Sequence, residues 1–507
     1  MKQLKQNESQ TKFERSAGIL LHPSSLPGKF GIGDLGPAAI TFIDFLKETG
    51  CKLWQVLPLG PTGFGDSPYQ SFSAFAGNPI LISPELLIQE GLLNSVDLID
   101  APHFKEEVID YGEIIPWKLN LLERAFDNFN KLNSAIRNEF DSFIENNNHW
   151  LDEYALFMTL KEIHGGGAWT DWPESFRKRK KSLISKVMNE QFQIINRSKF
   201  IQFLFFRQWF SIKKYANESG IKIIGDIPLY VAHDSADVWS HQELFQLADS
   251  GKPIVVAGVP PDYFSPTGQL WGNPIFQWEE HKKNGFEWWI KRIDRQLDLV
   301  DIIRLDHFRG FAGYWEIPAL ESTAEHGRWV QGPGKEFFKS VLKNYSKKKP
   351  LPFIAEDLGE ITQDVIELRD ELNLPGMKVL QFAFSGPDNL FLPHHYINNC
   401  VIYTGTHDND TTIGWFRKIS EDEKTFLFNY LGIDGSNIAW DLIRSCWASV
   451  AKYAIAPMQD LLELDSSARM NYPSKMGGNW GWRMRNHTIN VEIIDKLKNI
   501  NNIYGRR

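Results

Sequence analysis

Short β-branched runs alternate with longer amphipathic stretches through most of the 507 residues. Gly18–His22 reads as a first strand that ends in a turn-rich loop, P-S-S-L-P-G. Pro37–Glu48 then places apolar residues at Ile40, Phe42, Ile43, Phe45 and Leu46, the spacing of a helix with one buried stripe. Leu53–Leu57 is the next strand, and it too runs into a long loop, P-L-G-P-T-G-F-G-D-S-P-Y-Q-S-F-S-A-F-A-G-N-P. Further strands are expected at Ile221–Gly225, at the start of Val300–Tyr314, and at Pro352–Ala355, Met377–Ala383, Cys400–Gly405 and Ala448–Ala456. Eight short strands separated by helices predict a (β/α)8 TIM barrel, an α/β fold.

Residues 80–190 break that rhythm. Their pattern is mostly helical, with charged runs and no barrel-type strand, so they are expected to form an inserted subdomain after the second strand. The expected division is therefore 1–79 for the barrel start, 80–190 for the insertion and 191–507 for the rest of the barrel. The last part includes Pro260–Pro274, read as a long loop at the active face.

Composition narrows the class. Hydrophobic residues make up 42% and aromatics 13%, enough for a large packed core. A net charge of −8 with both signs interspersed argues against nucleic acid and anionic membranes as partners. No apolar run is long enough to span a bilayer, and the first residues lack the apolar core of a signal peptide. The three cysteines, Cys51, Cys400 and Cys446, are scattered and form no C-x-x-C, which suggests reduced thiols and a cytoplasmic location.

The chemistry concentrates where strands meet loops. In V-D-I-I-R-L-D-H-F-R-G, Arg304 and Asp306 are two residues apart and share one face of a strand. A guanidinium beside a carboxylate favours the charged form a nucleophile needs. Four strands are read as ending in a carboxylate, Asp226, Asp306, Glu356 and Asp408, on the face where a barrel builds its active site. Acids gathered there point to glycosidic chemistry, in which one carboxylate attacks and a protonated one delivers a proton. Asp306 is the nucleophile candidate. Glu356 follows an apolar strand, whose surroundings favour the protonated form an acid requires. Its neighbour Asp357 faces the other way and is given a structural role. Asp408 would bind sugar hydroxyls in the distorted transition state, and His307 and His407 adjoin these acids as hydrogen-bond donors. No acids and carbonyl donors stand at calcium-loop spacing, so neither a metal nor a cofactor is expected.

The motifs I-R-L-D-H-F-R-G, A-E-D-L-G, T-H-D-N-D-T, G-D-S-P-Y-Q-S-F-S-A-F-A-G-N-P and A-R-M-N-Y-P resemble those of the amylomaltases. These are 4-α-glucanotransferases, or disproportionating enzymes, among the α-amylase-like barrels. The resemblance runs from H-P-S-S-L-P-G to G-N-W-G-W-R, nearly the whole chain. It implies Asp306 as nucleophile, Glu356 as acid/base and Asp408 as transition-state stabiliser. It also places Tyr69, Asp226, Trp271, Arg304, His307, His407 and Asn471 around a bound glucan. One segment departs from the family: Y-P-S-K-M-G-G-N-W stands where P-G-T usually follows the proline.

The expected activity is transfer of α-1,4-glucan segments between maltooligosaccharides or chains derived from starch or glycogen. Two rivals share the sequence features. An α-amylase-type hydrolase would use the same acids with water, and a non-catalytic glucan-binding protein would need none of them. The presence of Asp306, Glu356 and Asp408 together weighs against the latter. Against water stand Tyr69, Tyr263, Phe264 and Trp271, expected to close over an acceptor.

Overall fold

The computed structural model describes residues 15–131, 135–261, 265–345, 351–473, 475 and 477–507. Twelve strands organise them. In chain order these are β1 (Ser16–Leu20), β2 (Leu53–Gln55), β3 (Lys222–Ile227), β4 (Val255–Val259), β5 (Gln269–Pro274), β6 (Ile302–Leu305), β7 (Gly313–Pro318), β8 (Arg328–Gln331), β9 (Phe353–Ala355), β10 (Gly376–Val379), β11 (Cys400–Tyr403) and β12 (Tyr453–Pro457).

Eight of them form one parallel sheet in the order β10-β11-β12-β1-β2-β3-β6-β9. Among the described residues its two edges meet through a single backbone bond, the Ala355 N–H donating to Pro375 O at 2.9 Å. This is the (β/α)8 barrel, and each of its strands overlaps one of the eight expected runs. The strand alternation decides what enters it. Leu20, Leu53, Ile224, Ile302, Ile354, Met377, Val401, Tyr403 and Ile455 pack together inside the ring. Their chain neighbours Ile19, Trp54, Ile223, Ile303, Ala355, Ile402 and Ala454 pack outward in the larger core with the helices. Arg304 and Asp306 continue the inward parity of Ile302, Asp226 that of Ile224, and Glu356 that of Ile354. The pattern that fills the barrel floor thus aims the acids up its axis.

Helices cover the outside. Pro37–Thr49 starts on a proline and ends at Gly50, whose φ of 80° is the left-handed cap that glycine takes without strain. Residues 80–190 carry Pro84–Gln89, Tyr111–Lys131, Ala135–Ile163 and Lys181–Glu190, and among the described residues no strand. Ala135–Ile163 packs along Phe192–Glu218, the helix that leads back into β3.

A second, antiparallel sheet was not expected. Its order is β5-β4-β7-β8. Part of Pro260–Pro274, read from sequence as loop, is strand β5, paired with β4 across a register shift between Val256 and Gly258. Prolines, and glycines at positive φ such as Gly272, make this strand look like a turn. Asp262, Tyr263 and Phe264 lie outside the described residues.

Candidate active site

The cleft is assembled around Arg304, near the end of β6 and almost wholly buried. One terminal nitrogen donates to Asp226 Oδ2 and to Asp306 Oδ1, both at 2.7 Å, while Nε reaches Met377 Sδ at 3.4 Å. Asp226 has no side-chain exposure and also accepts the Tyr69 hydroxyl at 2.8 Å. Its other oxygen, Oδ1, is buried without a partner among the described residues. Burial pushes Asp226 up to about 7 despite Arg304, and the Asp306 charge adds to the rise. Asp306 keeps about a quarter of its side chain open to the cleft.

Glu356, just past β9, is locked to the Asp306 loop by backbone. Its Oε2 accepts the His307 N–H at 2.7 Å and its Oε1 the Leu358 N–H at 2.9 Å. Its own carbonyl accepts the Phe308 N–H at 3.0 Å. Burial, chiefly, and the Asp306 charge raise the Glu356 carboxyl to about 7, against Arg304 and the two N–H donors. The turn that aims the His307 N–H is left-handed, with φ of 50° at His307. Gly310 of D-H-F-R-G lets this turn pack against the residues after β3, since a Cβ there would stand 2.2 Å from Leu229 Cδ2. Burial lowers His307 to about 4, so the ring is neutral and lies edge-on to Trp271 of β5 at 4.8 Å. Asp357 faces the other way: it accepts the Met377 N–H at 2.7 Å and pairs with Arg369 at 2.6 Å.

Asp408 lies beyond the end of β11, on the loop rather than at the strand's end as the sequence suggested. Oδ1 accepts the Asn471 amide at 2.6 Å, and His407 Nε2 is 3.4 Å from Oδ2. Burial lowers His407 as well, and its ring stacks on Tyr69 at 5.1 Å and 17°. The structure therefore brings Tyr69, Asp226, Arg304, Asp306, His307, Trp271, Glu356, His407, Asp408 and Asn471 into one connected set of contacts.

Two members escaped sequence reasoning. Arg469 donates to the Asp408 carbonyl at 2.6 Å and to the Asn471 carbonyl at 2.7 Å, fixing the loop that carries both. Trp480 packs against Tyr69 and His407. Both sit inside the motifs A-R-M-N-Y-P and G-N-W-G-W-R, which was the available signal. Among the described residues no three His, Cys, Asp or Glu side chains form a group that could hold a metal ion.

Barrel and site together define a (β/α)8 enzyme whose cleft combines an arginine-bound carboxylate with a buried carboxyl of raised proton affinity. A family model described as 4-alpha-glucanotransferase matches residues 21–489. The chain is 50% identical over 500 residues to a 4-alpha-glucanotransferase of Synechocystis sp., spanning 97% of this chain and 98% of that one. It is 49% identical over 494 residues to the Thermus thermophilus 4-alpha-glucanotransferase, spanning 96% and 97%. The amylomaltase from Streptococcus agalactiae, solved in complex with acarbose, superposes with a TM-score of 0.94 at 40% identity, covering 97% of this chain and all of that one. The chain belongs to the 4-alpha-glucanotransferase family.

Proposed function

We propose that this 4-α-glucanotransferase works by a retaining double displacement on Asp306. In the first step an Asp306 oxygen attacks the anomeric carbon of an α-1,4-linked glucan. Glu356 gives its proton to the departing 4-oxygen, and a glycosyl-aspartate ester remains. In the second step Glu356, now a base, takes the proton of an acceptor 4-hydroxyl, whose oxygen displaces Asp306. Each step uses one proton, and Glu356 returns to its starting state.

The observation that carries this reading is the pairing of Glu356 with the Asp306 loop through the His307 N–H. The Asp306 charge helps keep Glu356 protonated before attack. Esterification removes that charge, so Glu356 turns more acidic at the stage where a base is needed. Asp408, half exposed and braced by Asn471, is assigned to the sugar hydroxyls of the distorted ring. Asp226 and Arg304 orient the nucleophile, and Tyr69, Trp271, His307 and His407 form the walls for the glucan.

The substrates proposed are maltooligosaccharides and glucans derived from starch or glycogen, with no role for nucleic acid. No helix among the described residues is long and apolar enough to cross a membrane. Three unpaired buried thiols support a cytoplasmic site of action. We keep the division into 1–79, 80–190 and 191–507 as part of the proposal, supported by the helical content of the middle part.

Incubation with maltotriose alone tests the reading. Glucose and a ladder of longer chains should form while reducing ends stay nearly constant, since each bond broken is replaced by one made. Reducing ends that rise one for one with cleavage would make the protein a hydrolase.

A further inference from the structure

We propose that Trp480 is a positioning residue that sets the placement of Asp226 and Asp408 without touching substrate. The inference rests on the double-displacement reading and adds a residue that the reading does not use. Trp480 is 5% exposed, too buried to serve as a sugar platform. It belongs to the buried cluster that fills the barrel's interior, with Leu20, Leu57, Tyr403 and Met470 among the other members. Its backbone is left-handed, with φ of 62°, a conformation that costs a bulky residue free energy and persists only where surroundings enforce it.

Three contacts lead outward from this one residue. Its ring lies 5.7 Å from that of Tyr69 and 5.9 Å from that of His407, tilted against both, and closes a three-ring cluster with the stacked Tyr69–His407 pair. Its N–H donates to the Met470 carbonyl at 2.7 Å, fixing the residue before Asn471. Its carbonyl accepts the Tyr111 hydroxyl at 3.0 Å, which anchors it to the start of Tyr111–Lys131.

The ring and N–H contacts lead on to carboxylates. Tyr69 donates to Asp226, which shares Arg304 with Asp306. His407 and Asn471 flank the two oxygens of Asp408. A ring that holds Tyr69 and His407, on a backbone whose N–H holds the residue before Asn471, keeps the two sides of the cleft in register. Small errors in register fall on the transition state more heavily than on ground-state binding.

The test uses Trp480→Ala and Trp480→Phe in the full chain, assayed by maltotriose disproportionation below each variant's unfolding midpoint. Expected is a fall in kcat of about 10- to 100-fold for Trp480→Ala, with KM within about threefold, and partial recovery in Trp480→Phe. In a Tyr69→Ala background, Trp480→Ala should cost clearly less than in the wild type, because the two act along one path. If Trp480→Ala does not fold, Trp480→Phe is held to the same split. Unchanged kcat overturns the proposal, as does a raised KM at unchanged kcat, which would make Trp480 a substrate contact. Full additivity with Tyr69→Ala also overturns it. Failure of the wild type itself to disproportionate maltotriose would instead overturn the transferase reading.

Discussion

The backbone N–H of His307 donates to Glu356 Oε2 at 2.7 Å, tying the residue after the proposed nucleophile to the proposed acid. With Leu358 serving Oε1, both carboxyl oxygens face amide donors. The distance between the two acids is thus held by main chain.

Glu356→Gln sets one of its amide hydrogens against one of these N–H groups. Expected is a loss of about 1–3 kcal/mol in unfolding free energy, the cost of an unsatisfied buried donor. Disproportionation should fall by several orders of magnitude. The first step on a glycosyl fluoride, which needs little protonation, should survive. Denaturation and single-turnover release of fluoride check the two halves, and equal loss of both substrates removes Glu356 as general acid.

A pH dependence follows from the raised carboxyl of Glu356, at about 7. The acid must carry its proton to act, so kcat/KM should hold below about 7 and fall as pH rises through it. Asp226 also rises to about 7, so the apparent midpoint belongs to the cluster. In Asp306→Asn the neighbouring charge is gone and Glu356 should titrate lower, which carbon-13 NMR of labelled glutamate can follow. A profile flat to pH 9, or a Glu356 midpoint that rises in Asp306→Asn, contradicts the assignment.

Arg304→Met should destabilise the fold by about 3–5 kcal/mol, the cost of leaving a buried acid without its cation. Asp226 has no side-chain exposure, so water cannot compensate. Without Arg304 the Asp226 carboxyl rises further and stays protonated, so the loss should shrink as pH falls toward about 7 and level off below it. Chemical denaturation at pH 6 and pH 8 measures both, and a loss independent of pH argues against the charge as its cause.

Asp408→Asn should lower the rate by at least ~100-fold, since bonds to a distorted ring tighten in the transition state. Affinity for an unreactive glucan should change little. Weak binding with normal turnover at saturation would make Asp408 a ground-state anchor.

The barrel was legible because its strands are short β-branched runs with acids at their ends. Parity alone put Arg304 and Asp306 on one inward face and turned Asp357 away from Glu356. The strand β5 was hidden because its Gly272 and Pro274 carry turn signals, and only pairing with β4 makes it a strand. Trp480 and Arg469 were hidden for another reason. They act through contacts with Tyr69, His407 and Asp408, far away in sequence, and local pattern carries no trace of such contacts.

The single bond between Ala355 and Pro375 leaves the ring almost open beside Glu356. The Asp357 carboxylate, on the Met377 N–H and Arg369, stitches that seam with a side chain where the other strand pairs use main chain. On the proposed mechanism the adjacent acids of A-E-D-L-G divide the labour, Glu356 for chemistry and Asp357 for architecture. An activity screen of variants would score both positions as essential. Only a hydrogen-exchange map, in which Asp357→Asn frees the β10 amides and Glu356→Gln does not, would separate the rivet from the reagent.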